Sequence, residues 1–250
     1  MIQTKTFDKE LPYLKTKGGI YVLAEFEPLY TRDGELIAIE MLSRLFDEQK
    51  NNNIISSDYF FSNVNKTDAW EIFKWQLFII ERNLQWCISN QTFISLNINR
   101  SQAEACLTHP EILEEINKLS PWLRLEINEY FIQSKDNDIE IISFLSSLCP
   151  LWLDDFGSGS ANFLPLLSGH FEAIKVDKVF LWEVINYSSG NNFLKSLLTL
   201  SSEMKIKIIL EGIESVDVFE IIKNLDVFAL QGWLWPAVNE SQLNSLILKK

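Results

Sequence analysis

Apolar and polar positions change their spacing repeatedly along the chain. Two apolar runs near the start, YVLAEFEPLYT and ELIAIEMLSRL, are separated by Arg32-Asp33-Gly34. Strand-like runs around such a turn predict a hairpin. From Trp70 to Trp86 the apolar residues recur at helical spacing. FISLNIN (Phe93 to Asn99) predicts a strand, and Ser101 standing three residues before Glu104 predicts a capping box opening a helix. LRLEINE (Leu123 to Glu129) predicts the next strand and Asp138 to Leu148 a helix. PLWLDD follows, running into a glycine turn and a second periodic stretch. AIKVDK (Ala173 to Lys178), a helix over Phe193 to Met204, IKIILEGIE (Ile206 to Glu214) and VFALQGW (Val227 to Trp233) continue the series. A last helix is predicted from about Glu240 to the end, and the polar stretch Asp47 to Ser57 is predicted as a surface loop.

Strand and helix in alternation mean parallel β-structure. There are too many such units for a small open sheet. The expected fold is α/β: a TIM-like (β/α)8 barrel with an irregular, antiparallel first strand, in a single domain over residues 1–250.

Composition narrows the chemistry. The net charge of −12 gives no electrostatic footprint for a DNA or RNA duplex. An anionic ligand therefore needs a local inversion of the field, and a bound divalent cation is the usual device. Three widely spaced cysteines without CxxC argue against a disulfide framework or a zinc site, and two histidines against a histidine ligand cluster. The opening MIQTKTFDKE does not read as a signal peptide, and no apolar run approaches the roughly 20 residues of a membrane span. A cytoplasmic location without membrane contact is expected.

Polar residues stand late in the predicted strands: Asn97, Glu126, Asp154, Asp155, Lys175, Glu211 and Gln231, with Glu40 at the end of ELIAIE. Taken singly, each reads as readily as a helix cap, a turn residue or a surface charge. In a parallel barrel they share one rim, where barrel enzymes carry their chemistry. Glu126 and Asp154 each follow a leucine, and alternation turns both inward. Carboxylates converging on one rim need cations, and oxygen ligands suit Mg²⁺ or Mn²⁺. Asp154 beside Asp155 suits a pair of ions, the usual clamp for in-line attack on a phosphodiester.

The motifs resemble those of the EAL-domain cyclic-di-GMP phosphodiesterases, from about Tyr21 to about Leu248. The signature stands here as Glu40-Met41-Leu42, followed by Ser43-Arg44. Leu96-Asn97-Ile98-Asn99, Glu126-Ile127-Asn128-Glu129, Asp154 to Gly159, Lys175-Val176-Asp177, Glu211-Gly212-Ile213-Glu214 and Gln231-Gly232 follow in the family's order. PWLRLE, PLWLDDFGSGSANF and QGW are similar to stand-alone enterobacterial members that govern motility and fimbriae.

The resemblance implies a TIM-like barrel that linearises cyclic di-GMP to pGpG with two Mg²⁺ or Mn²⁺ ions. It implies that Glu40, Asn97, Glu126 and Asp154 bind one ion, and Asp154 and Asp155 the second, with Glu211 close by. Lys175 would position or help deprotonate the attacking water, its pKa lowered by nearby cations, and Gln231 would orient water or ligand. Leu42 and Arg44 would contact the dinucleotide. Glu129 would brace the loop Asp155 to Ser160, and a homodimer is implied. The departures are Met41 for the signature alanine, Ser158-Gly159-Ser160-Ala161-Asn162 in the loop, and the tail QGWLWPAV. The alternative the family offers is a non-catalytic module that grips a regulator protein, such as a flagellar transcription activator.

Overall fold

The computed structural model describes residues 10–48, 53–56, 60–61, 63–131, 136–159 and 167–247. The expected loop segment Ser160 to Asn162 and the N-terminal residues 1–9 lie outside them. The strands are β1 (Tyr13–Lys15), β2 (Ile20–Tyr30), β3 (Leu36–Asp47), β4 (Asn53–Ile55), β5 (Phe93–Asn97), β6 (Leu123–Asn128), β7 (Leu151–Phe156), β8 (Phe171–Val176), β9 (Lys207–Leu210) and β10 (Ala229–Gln231). Eight of them close into a barrel in the order β2-β10-β9-β8-β7-β6-β5-β3, with β2 pairing back onto β3. From β3 to β10 every barrel pairing is parallel. β2 alone runs antiparallel to both its neighbours, as expected of the first strand. The short strands β1 and β4 extend the β2–β3 hairpin beyond the ring.

The helices are α1 (Lys66–Asn90), α2 (Arg100–Cys106), α3 (Pro110–Leu119), α4 (Asp136–Leu148), α5 (Lys178–Asn186), α6 (Gly190–Glu203) and α7 (Val216–Ile222). The capping box lies two residues before the expected pair. The Asn99 side chain accepts from Gln102 N–H, and Gln102 Oε1 accepts from Asn99 N–H. Asn99 leaves β5 already extended (φ −87°, ψ 168°), so it takes the N-cap; Ser101 donates its hydroxyl to Asn99 Oδ1 instead. The expected last helix is a 3₁₀ turn over Glu240–Leu246. Part of the expected loop Asp47 to Ser57 is strand: Leu45, Phe46 and Asp47 pair with Ile55, Ile54 and Asn53. Among the described residues no helix is long and apolar enough to cross a membrane.

Alternation organises the barrel interior. Leu29, Ala38, Trp152, Ala173, Ile209 and Ala229 form one buried inner cluster. The outer strand faces pack against the helices through a separate, larger core. Trp152 is the one large aromatic of the inner cluster, and three alanines make room for it. Its indole Nε1 donates to Glu172 Oε2 at 3.0 Å. Glu172 faces this way because β8 carries an extra residue there: Leu151 pairs with Phe171 but Trp152 with Ala173. Arg124 Nε and Lys207 Nζ donate to the same carboxylate at 2.6 and 2.9 Å, and the Arg124 guanidinium lies 3.8 Å from the Phe93 ring centroid. This cluster closes the floor.

Trp152→Ala leaves a cavity that three alanines cannot fill, and removes a donor from Glu172. It is expected to destabilise the protein by about 3–5 kcal/mol in chemical denaturation; a loss under 1 kcal/mol would show that the floor repacks freely.

Candidate metal centre and substrate cleft

Each inner-cluster residue stands two positions from a polar residue nearer the barrel mouth. Ala38 precedes Glu40, Trp152 precedes Asp154, Ala173 precedes Lys175, Ile209 precedes Glu211 and Ala229 precedes Gln231. A strand repeats its facing every second residue, so all five polar side chains point into the barrel. Glu126 and Asn97 join them from β6 and β5. Glu40 lies within β3 rather than at its end, because that strand runs on to Asp47 in the hairpin.

The centre of the site is Lys175. Its side chain is 1% exposed, and Nζ lies 3.0 Å from Glu40 Oε2, 2.9 Å from Glu126 Oε2, 3.0 Å from Asp154 Oδ1 and 2.9 Å from Glu211 Oε1. Gln231 Nε2 and Asn97 Nδ2 donate to the two oxygens of Glu40, each at 2.7 Å. Burial lowers the Lys175 pKa, but the surrounding carboxylates outweigh it and hold the ammonium well above its usual range. In the protein by itself Lys175 is therefore a counter-ion, the opposite of the lowered pKa implied beside cations. Burial pushes Glu40 up, yet Lys175, Gln231 and Asn97 bring it below the usual carboxylate range. Burial, then the charge of Glu40, puts Glu126 well above that range. Burial likewise raises Asp154, with Glu40 adding to it against the pull of Lys175.

Asp155 reaches the same rim by a different route. Neighbours on a strand face opposite ways, but here β7 carries an extra residue: Leu153 pairs with Ile174 and Phe156 with Val176. Asp155 takes a left-handed φ of 56° in this bulge. Burial and the charge of Asp154 raise it to about 7. Glu211 is raised by burial to about 8, against the pull of Lys175 and with Asp154 adding to the rise.

The carboxylates form two overlapping groups. One oxygen each from Glu40, Glu126 and Asp154 lie within 4.8 Å of one another, and so do oxygens of Asp154, Asp155 and Glu211. Asp154 belongs to both. Among the described residues, Glu126 Oε1 and Asp154 Oδ1 are buried without a hydrogen-bond partner; Lys175 meets the latter only as an ion pair. Five carboxylates around one ammonium, all-oxygen donors and unsatisfied acceptors fit hard divalent cations.

The other expected residues lie around this centre. A cavity of about 530 Å³ opens beside it, lined by Glu40, Leu42, Asn97, Arg100, Phe131 and Asp154 among others. Arg44 stands two residues beyond Leu42, its Nε 2.6 Å from Glu25 Oε2. Glu129 opens a 3₁₀ turn after β6, and its two oxygens accept from Gly157 and Gly159 N–H, each at 3.3 Å. Gly157 has φ 98°, and a Cβ there would lie 2.6 Å from the Phe180 ring.

Sequence reasoning missed Glu27. It pairs with Glu40 across the hairpin, on the same face. Burial and the charge of Glu40 raise its pKa. Because β2 is antiparallel, its inward acid precedes its inner-cluster residue, Leu29, instead of following it. The alternation of Glu25, Glu27 and Leu29 is the signal that would have found it.

The EAL domain family matches residues 21–237. The chain is similar to the cyclic di-GMP phosphodiesterase PdeH of Escherichia coli K12, with 30% identity over 228 residues, covering 89% of this chain and 86% of that one. It is also similar to YdiV of the same strain, a putative anti-FlhC(2)FlhD(4) factor, with 27% identity over 225 residues, covering 89% and 93%. Among solved structures, the EAL-like domain protein YdiV superposes with a TM-score of 0.85 at 24% identity, covering 94% of this chain and 100% of that one. The PaMucR phosphodiesterase in complex with c-di-GMP gives a TM-score of 0.74 at 23% identity, covering 89% and 94%. By the extent of the family match, the order of its motifs and the closed barrel that carries them, this chain belongs to the EAL domain family.

Proposed function

We propose that the protein hydrolyses one phosphodiester of cyclic di-GMP, giving linear pGpG, with two divalent cations, Mg²⁺ or Mn²⁺. The observation that carries this reading is the sharing of Asp154 between two groups of three carboxylates. Similarity to PdeH along most of both chains supports the substrate. Glu40, Asn97, Glu126 and Asp154 would hold one ion; Asp154 and Asp155 would hold the other, with Glu211 beside it. Such ions, when bound, neutralise the phosphate and acidify water.

The remaining work belongs to the chain's own side chains. Lys175, reached by the carboxylates of Glu40, Glu126, Asp154 and Glu211, would position the attacking water or help deprotonate it. Glu211, beside it, would steer that water in line. Gln231 and Asn97 fix the two oxygens of Glu40, so that its carboxylate does not turn. Leu42 and Arg44 contact the dinucleotide, Arg44 through charge-assisted bonds to phosphate. Glu129 holds the turn that carries Asp155. A cytoplasmic homodimer that lowers cyclic di-GMP and thereby controls motility or fimbriae belongs to the same proposal.

A second reading has its own observation. Similarity to the putative anti-FlhC(2)FlhD(4) factor also runs along most of both chains. On that reading the barrel binds a transcription regulator, and turnover is incidental or absent.

Incubation with cyclic di-GMP in Mg²⁺, Mn²⁺ or EDTA, followed by nucleotide chromatography, separates the two. The expected result is pGpG with either metal and none in EDTA. Intact substrate under all three conditions would favour the regulator-binding reading. Asp154→Asn is expected to lower turnover more than about a hundredfold with an unchanged circular dichroism spectrum, since losing even an outer-shell partner costs about 10–100-fold.

Acidity gives a further expectation. Asp155, at about 7, and Glu211, at about 8, hold protons that a cation must displace. Affinity for Mn²⁺ should therefore rise with pH through that range and level off above it. The metal-free fold responds oppositely. A carboxyl whose folded pKa is raised binds protons better folded than unfolded, so its contribution to stability falls as pH rises from about 4 towards 8. Calorimetric Mn²⁺ titration and metal-free melting at pH 6, 7 and 8 check both trends; affinity independent of pH would contradict the first.

A further inference from the structure

One carboxylate at the mouth is not used by the chemistry proposed above. In the β2–β3 hairpin Glu27 pairs with Glu40, Glu25 with Leu42 and Leu23 with Arg44. Residues paired across antiparallel strands share a face, so these six side chains rise in three steps from the barrel centre past its mouth. Glu25 and Arg44 are diagonal neighbours on this ladder, one step apart. Their contact is close, Nε to Oε2 at 2.6 Å, and both side chains are largely sheltered, 27% and 18% exposed for Arg44 and Glu25.

The geometry of the contact matters more than its presence. Glu25 engages Arg44 through Nε, and among the described residues no acceptor meets either terminal nitrogen. A guanidinium presents five N–H donors in a rigid fork. Bonding at the Nε side fixes the plane of the fork and leaves the terminal pair for a ligand oxyanion. An arginine otherwise loses much rotamer freedom on binding, at a cost in affinity.

We infer that Glu25 is a positioning residue for substrate: it holds the Arg44 guanidinium with its terminal nitrogens directed at a phosphate of the cyclic dinucleotide. This rests on the reading of cyclic di-GMP as ligand. It predicts a sign that simple charge does not. Removing an acid near an anionic ligand ordinarily tightens binding, because repulsion is lost. Removing Glu25 should weaken it, because Arg44 is released.

The test is a double-mutant cycle with the full chain in saturating Mn²⁺, reading kcat and KM for cyclic di-GMP together with direct titration of the same ligand. E25A should raise KM and Kd about tenfold, as befits one charge-assisted hydrogen bond, with kcat little changed, the signature of lost uniform binding. E25Q should fall between wild type and E25A, because a neutral amide oxygen still accepts from Nε. E25A/R44A should match R44A alone, since the inferred effect of Glu25 on the ligand runs through Arg44. An unchanged or lower KM in E25A, or additive effects in the double variant, overturns the inference. If E25A melts early, E25Q decides: a KM at or below that of wild type overturns it. Wild-type protein that binds no cyclic di-GMP would sink the substrate reading and this inference together, whereas wild-type binding with additive variants sinks this inference alone.

Discussion

The ammonium of Lys175 is closed off from water by carboxylates of Glu40, Glu126, Asp154 and Glu211, brought in from separate positions around the ring. A buried charge is tolerable only when it is paired and hydrogen-bonded. None of these groups could be buried by itself; each is admitted by the others. That mutual dependence requires strands to end at matched heights and inward facing to be kept on every one of them. The closed barrel supplies both, so the requirement of the site and the requirement of the fold coincide. The imbalance that remains, more acids than bases with unsatisfied oxygens among them, is what makes this a place for cations rather than a finished ion-pair network.

Much of this was legible in the chain because parallel strands repeat one grammar. Asn97, Glu126, Asp154, Lys175, Glu211 and Gln231 all stand near the ends of apolar runs, and the order of their motifs resembles one family. Glu27 escaped because its strand runs the other way and its polar residue comes first. The tie between Glu25 and Arg44 escaped because it depends on hairpin register, which only the pairing itself fixes. Helices α3, α5 and α7 were passed over because their periodic stretches are short. α3 begins at Pro110, a start signal that its short apolar face left isolated. The cap at Asn99 was displaced to Ser101 because the strand stops at Asn97, two residues before the apolar run does.

The seam between β7 and β8 shows how a small irregularity makes room for chemistry. An extra residue in β8 turns Glu172 under Trp152, and an extra residue in β7 turns Asp155 towards the mouth. The two insertions lie on opposite strands, so the second restores the register that the first displaced. Adjacent aspartates in a regular strand would face opposite sides of the sheet. Here Asp155 accepts a left-handed backbone, and both carboxylates serve one rim. Nothing in the spacing of Asp154 and Asp155 announces this; it is a property of the pairing.

The Trp152 indole, with the Arg124, Lys207 and Glu172 charges beneath it, has a consequence for traffic. The barrel is a cup and not a tube, and whatever reaches Lys175 arrives from above. Among the described residues, ligand, water and ions share the opening above Lys175, so the order of leaving is imposed by what stands nearest to it. A ligand spread across the rim acts as a stopper for whatever lies deeper, and the deepest occupants are the last to exchange.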